Sequence, residues 1–154
     1  MLSNIELKNL AKQHNIKLDY VGYKDTMPNV KNKHNYNAII NLDGSNPDDF
    51  NKNGSHWVCL VIRDQLCVYF DPFGLPEPVQ TNNFIKNQNI KHYGYNHMKI
   101  QDIKDDHCGW YCMALLRYIK DHYIGNVMDT ANDFINIFDF NDSTNNLTIL
   151  QNTF

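Results

Sequence analysis

"HWVCLVIRDQLCVYFD", residues 56 to 71, holds two apolar runs separated by Arg63, Asp64 and Gln65. Both runs are apolar at odd and even positions alike, so they read as neighbouring β-strands covered on both faces. Two residues stand out against that background. His56 opens the first run, and Asp71 ends the second. With a two-residue turn at Arg63-Asp64, an antiparallel hairpin sets His56 directly across from Asp71, with Cβ atoms roughly 5 Å apart. An imidazole and a carboxylate meeting at the same strand ends suit a general base and the group that orients it. Asp71 also has a plain structural reading, as a cap for the "DPFG" turn.

Downstream, "IQDIKDDHCGWYC" (100 to 112) brings His107, Cys108 and Cys112 close together in the chain. A zinc site usually needs a second pair of ligands, and Cys59 and Cys67 lie inside the apolar strands. A zinc-binding module is therefore the non-enzymatic alternative, and no metal is assigned. Cysteine is also common packing material, which accounts for Cys59, Cys67 and Cys112. Cys108 differs, because "KDDH" precedes it and Gly109 follows. From there Cys112, Leu115, Leu116 and Ile119 recur at helical spacing up to His122. Cys108 thus belongs at the first turn of a helix, where free N–H groups and the positive dipole end favour a thiolate. Gln101 lies seven positions earlier. It ends a short strand and offers an amide N–H₂ for an oxyanion, with the Cys108 backbone N–H as the second donor.

The rest of the chain frames these residues. A length of 154 residues and 42% hydrophobic content suit one globular domain spanning 1–154. A net charge of −3 gives no general electrostatic footprint for nucleic acid. No apolar run reaches the ~20 residues of a membrane span, "MLSNIELKNL" does not read as a signal peptide, and the cysteines read as reduced thiols. Ser3 with Glu6 forms a capping-box pattern, followed by Leu7, Leu10, Ala11 and His14 on one helical face. "NAIINL" (37 to 42) reads as a strand, 43 to 55 as a polar loop, and "PFGLPEP" as irregular. "TNNFIKNQ" reads as a short helix capped by Thr81, and "HMKI" (97 to 100) as a short strand. "TANDFINIFDF" is a last helix with Phe134, Ile135 and Phe138 on one stripe. The sum is an α+β domain, a small mixed or antiparallel sheet flanked by helices, with Cys108 at the N-terminus of a central buried helix.

"GSHW", then "YFDPFG", then Gln101 seven positions before "CGWYC" resembles the adenovirus maturation proteases (adenains), which share a clan with the SUMO-specific proteases. "ELKNLAKQH", "YVGYKDTMP" and "NAIINLDG" resemble that family's N-terminal helix, following loop and first strand, in order. The resemblance covers most of residues 5 to 120. It implies a cysteine endopeptidase with Cys108 as nucleophile, His56 as base, Asp71 as its partner and Gln101 as oxyanion donor. Trp57 would pack beside His56, as in that family, and Trp57 and Gly109 are the residues expected at the substrate. Adenain has Glu where this chain has Asp71, whereas the wider clan uses Asp. The resemblance implies processing of viral capsid or core precursors at glycine-containing sites, in the virion and the infected host cell. The Asn-rich composition fits a DNA virus of protists or a virophage. The alternative within the same chemistry is a deconjugating protease for a ubiquitin-like modifier. The family also implies two partners, an activating peptide and DNA. "KHYGYNHMKI" offers no cysteine for a disulfide-linked peptide, and Lys86, Lys91, Lys99 and Lys104 are scattered, so no cofactor is required by the sequence.

Overall fold

In a computed structural model that describes residues 1–46 and 56–154, the two apolar runs form β3 (Trp57–Arg63) and β4 (Leu66–Phe70). They pair antiparallel, Cys59 opposite Phe70 and Arg63 opposite Leu66. The turn is therefore Asp64-Gln65, one residue later than expected. Both turn residues are left-handed, with φ of 50° and 69°, as a two-residue hairpin of matching twist requires. Arg63 stays in the strand because its guanidinium is occupied. Nη1 donates to the Tyr36 and Ile62 carbonyls, and Nη2 donates to Asn37 Oδ1. The shift keeps His56 and Asp71 on one face of the hairpin but makes them diagonal neighbours instead of directly opposed.

Three further strands complete a mixed sheet in the order β1-β2-β3-β4-β5: β1 (Tyr20–Tyr23), β2 (Asn35–Asn41) and β5 (His92–Tyr95). The outer pairs are parallel and the inner ones antiparallel. β1 occupies "YVGY", expected to be loop. β5 lies five residues before the expected "HMKI" strand. Its partly buried Tyr93 and Tyr95 pack on the sheet, whereas Met98 and Lys99 are exposed and only Ile100 turns inward. The expected 43–55 loop falls largely on residues 47–55, outside the described residues.

Both faces of the sheet are covered, as the unbroken apolar runs require. On one face Ile39, Cys59, Val61, Val68 and Phe70 share a core with α1 (Asn4–Gln13), α3 (Cys108–His122) and α4 (Val127–Ile135). On the other, Ile40, Val58, Leu60, Cys67 and Tyr69 pack with Phe84 and Ile85 of α2 (Val79–Lys86). α3 is the central buried helix, with Leu115, Leu116 and Ile119 turned inward. α1 begins with the Ser3/Glu6 capping box. α2, however, takes Pro78 at its cap position, and Thr81 is fully buried within the helix. Proline loses no hydrogen bond at a helix start, so no side-chain cap is needed there. α4 starts at Val127 because the Asn126 side chain accepts from Asp129 N–H. Thr130, expected to open that helix, instead lies in its first turn and exchanges hydrogen bonds with Ile124. A further helix, α5 (Asn146–Thr153), gives no periodic signal in its Asn- and Thr-rich sequence. Its first residue, the buried Asn146, donates to the Ile100 and Asp139 carbonyls. Among the described residues, no helix is long and apolar enough to cross a membrane.

Candidate active site

At the end of β4 the chain turns sharply, with Gly74 N–H donating to the Asp71 carbonyl at 2.7 Å. Gly74 has φ +77°, and a Cβ there would lie 2.9 Å from backbone atoms of Met98 and Lys99, so only glycine fits. The Pro72 carbonyl accepts from Ile100 N–H (2.9 Å) and Gln101 N–H (3.0 Å), which ties the approach to Gln101 onto this turn. Asn96 clamps Asp71 from the other side. Its Oδ1 accepts from Asp71 N–H at 2.9 Å, and its Nδ2 donates to the Asp71 carbonyl. Asp71 is 1% exposed, and its Oδ1 accepts from Phe73 N–H at 2.8 Å.

The same Oδ1 lies 2.6 Å from Nε2 of His56, which immediately precedes β3. The His56 side chain is 17% exposed and stacks on Phe73, with ring centroids 4.4 Å apart and planes inclined by 16°. Burial pushes the His56 pKa down. Hydrogen bonds to Asp71 and to the Cys108 thiol, with the charges of the same two groups, outweigh burial and raise it to about 9. The imidazole is thus anchored on a buried carboxylate, with the Cys108 thiol near enough to act on its charge.

Cys108 is the first residue of α3, whose N-terminus has no side-chain cap, so the first-turn N–H groups are not taken up by a capping side chain. Its sulfur accepts from Trp57 N–H at 3.4 Å. Cys108 is 1% exposed, and all four thiols are buried. Partners distinguish it, not exposure. Burial pushes the Cys67 thiol up to about 12 and raises Cys59 and Cys112 as well, which keeps those three protonated. Cys112 donates its S–H to the Trp57 carbonyl at 3.5 Å.

Gln101 is 1% exposed and lies in the loop before α3 instead of ending a strand. Its Nε2 donates to the Asp105 carbonyl at 2.6 Å, and its buried Oε1 has no partner among the described residues. Trp57 and Gly109, expected to line a substrate, both turn inward. The Trp57 indole donates to the Leu2 carbonyl at 2.8 Å, and a Cβ on Gly109 would lie 3.3 Å from Leu2 and Leu7 side-chain atoms. Gly109 therefore makes room for the N-terminal segment. Among the described residues the one group at metal-ligand spacing is Asp105, Asp106 and His107, with His107 Nδ1 2.5 Å from Asp105 Oδ1. Neither Cys108 nor Cys112 belongs to it, so no thiol-based donor set converges among the described residues. Lys86, Lys91, Lys99 and Lys104 are all exposed.

Asn96 and Phe73 are site residues the sequence did not reveal. Asn96 follows β5 directly, and the parallel β4–β5 register brings it beside Asp71. Placing the strand at 97–100 hid that proximity. A thiol beside an imidazole that a carboxylate orients, with a backbone N–H on the sulfur, is an arrangement that activates sulfur for attack on an acyl carbon.

No family model matches the chain, and no curated protein matches its sequence. Among solved structures, that of the Chlamydia abortus effector protein ChlaDUB aligns with TM-score 0.43 and 12% identity, over 78% of this chain and 66% of that one. The chain thus spans just under two thirds of that structure's length, and the likeness assigns no residue a role.

Proposed function

We propose that this chain is a cysteine endopeptidase, and the observation that carries the reading is His56 hydrogen-bonded to buried Asp71, with the Cys108 thiol near enough to raise its pKa. The imidazole takes the Cys108 proton, and the sulfur attacks the scissile carbonyl carbon. The resulting oxyanion draws on the Cys108 backbone N–H and the Gln101 amide, whose second N–H has no protein acceptor among the described residues. Collapse breaks the C–N bond, His56 gives its proton to the departing amine, and a thioester remains on Cys108. Water, deprotonated by His56, then hydrolyses the thioester and regenerates the thiol. Asp71 holds the ring and stabilises its charged form without itself losing or gaining a proton.

The resemblance to adenains supports viral capsid or core precursors as substrates, cleaved at glycine-containing sites in the virion or infected cell. The purified protein is incubated with a panel of capsid precursors and ubiquitin-like modifier fusions, and cleavage sites are mapped by mass spectrometry. Cleavage of precursors that Cys108→Ala abolishes supports the reading. Cleavage confined to modifier fusions assigns deconjugation instead, and no cleavage of either class removes the peptidase reading.

A further inference from the structure

His56 and Cys108 come from different elements, the start of β3 and the start of α3, so something must hold those two ends in register. The residue after each of them meets the same partner. Trp57 donates its indole N–H to the Leu2 carbonyl, and Gly109 packs against the Leu2 side chain. The Trp57 backbone also touches both sulfurs of the α3 N-terminus, its N–H donating to Cys108 and its carbonyl accepting from Cys112. Leu2 is 8% exposed and belongs to the same core as Trp57 and Cys108. Directly behind it the Ser3/Glu6 box starts α1, whose Leu7 is fully buried.

Building on the peptidase reading, we propose that Leu2 and Trp57 are positioning residues, a buried strut that sets the distance and angle between Cys108 and His56. A detachable inhibitory strap would be expected to sit on the surface. This segment is continuous with a core helix and satisfies a buried indole.

The test compares wild type with Trp57→Phe, Leu2→Ala and Leu2→Met. It measures kcat and KM on a substrate from the cleavage panel, and the pH dependence of iodoacetamide labelling at each cysteine. Trp57→Phe keeps an aromatic ring and removes the indole donor. Trp57→Phe and Leu2→Ala are expected to lower kcat by about ten- to a hundred-fold at unchanged KM and to shift the pH profile of Cys108 labelling. Cys59, Cys67 and Cys112 should stay protected, and Leu2→Met should restore the wild-type values. Activity that falls only with the folded fraction, or labelling that spreads to the other cysteines, would reduce the segment to ordinary core. Higher activity in Leu2→Ala would make it a strap. If wild-type Cys108 is not labelled ahead of the other cysteines, the peptidase reading itself falls, and this inference with it. Preferential labelling that none of the variants alters overturns the strut alone.

Discussion

His56 is where burial and charge compete most directly. Its pKa in the fold, about 9, exceeds the ordinary histidine value near 6.5 because two hydrogen-bonded partners outweigh desolvation. A raised folded-state value means that protonated His56 stabilises the native state. That contribution is complete below about 6.5 and disappears as pH rises through about 9. The urea midpoint of the wild type should therefore fall across this window, and Asp71→Asn should flatten the fall. The alkaline limb of kcat/KM should lie near the same value and move to lower pH in Asp71→Asn, since the amide removes the carboxylate that favours the imidazolium. A limb that stays in place would remove Asp71 from its orienting role. Cys108→Ala should reduce cleavage by roughly a thousand-fold or more, because a nucleophile and its base act as a unit. Cys112→Ala loses only a buried S–H, so about 1 kcal/mol of stability and little turnover should go.

At the scale of elements, what the sequence revealed depended on how strongly burial patterned it. β3 and β4 were legible because both faces are covered, leaving no polar residue to interrupt either run. The start of α3 was legible because four polar residues give way to Gly109 and a helical stripe. The hairpin register was not, since neither Asp64 nor Gln65 is the glycine that usually marks a left-handed turn position. β5 was mislocated for a related reason: its tyrosines are only partly buried, so no clean alternation announces it. The two turns make opposite predictions. Gln65→Gly should stabilise the protein by about 1 kcal/mol by relieving a side chain held at φ 69°. Gly74→Ala should do the reverse, because its Cβ would press on the Met98 and Lys99 backbone beneath the Asp71 turn. Thermal midpoints read both. A loss of activity beyond the unfolded fraction in Gly74→Ala would show that the turn also sets the Asp71 carboxylate.

For the whole molecule, the question is whether the site has a stability of its own or shares that of the fold. An aromatic cluster lies between the sheet and the C-terminal helices. Phe134 of α4 is fully buried, and its ring centroid lies 5.9 Å from Phe70, 5.8 Å from Tyr118, 5.2 Å from Phe138 and 5.5 Å from Phe154. Phe70 immediately precedes Asp71, and Tyr118 belongs to the helix that Cys108 begins, so the cluster reaches both halves of the site through one residue of backbone and one helix. Phe134→Ala should cost about 3–5 kcal/mol, a large part of the ~5–15 kcal/mol available to a domain of this kind. Because the packing is shared, that loss should not be confined to α4. Trp57 provides the means to see this, since its indole is buried beside the site, whereas Trp110 is exposed and far less sensitive to unfolding. Urea unfolding followed by tryptophan fluorescence, far-UV circular dichroism and residual cleavage should give superimposable curves in the wild type. In Phe134→Ala all three should move to lower urea together. Fluorescence and cleavage that persist after the helical signal has gone would show that the hairpin and the start of α3 hold the site without the C-terminal helices.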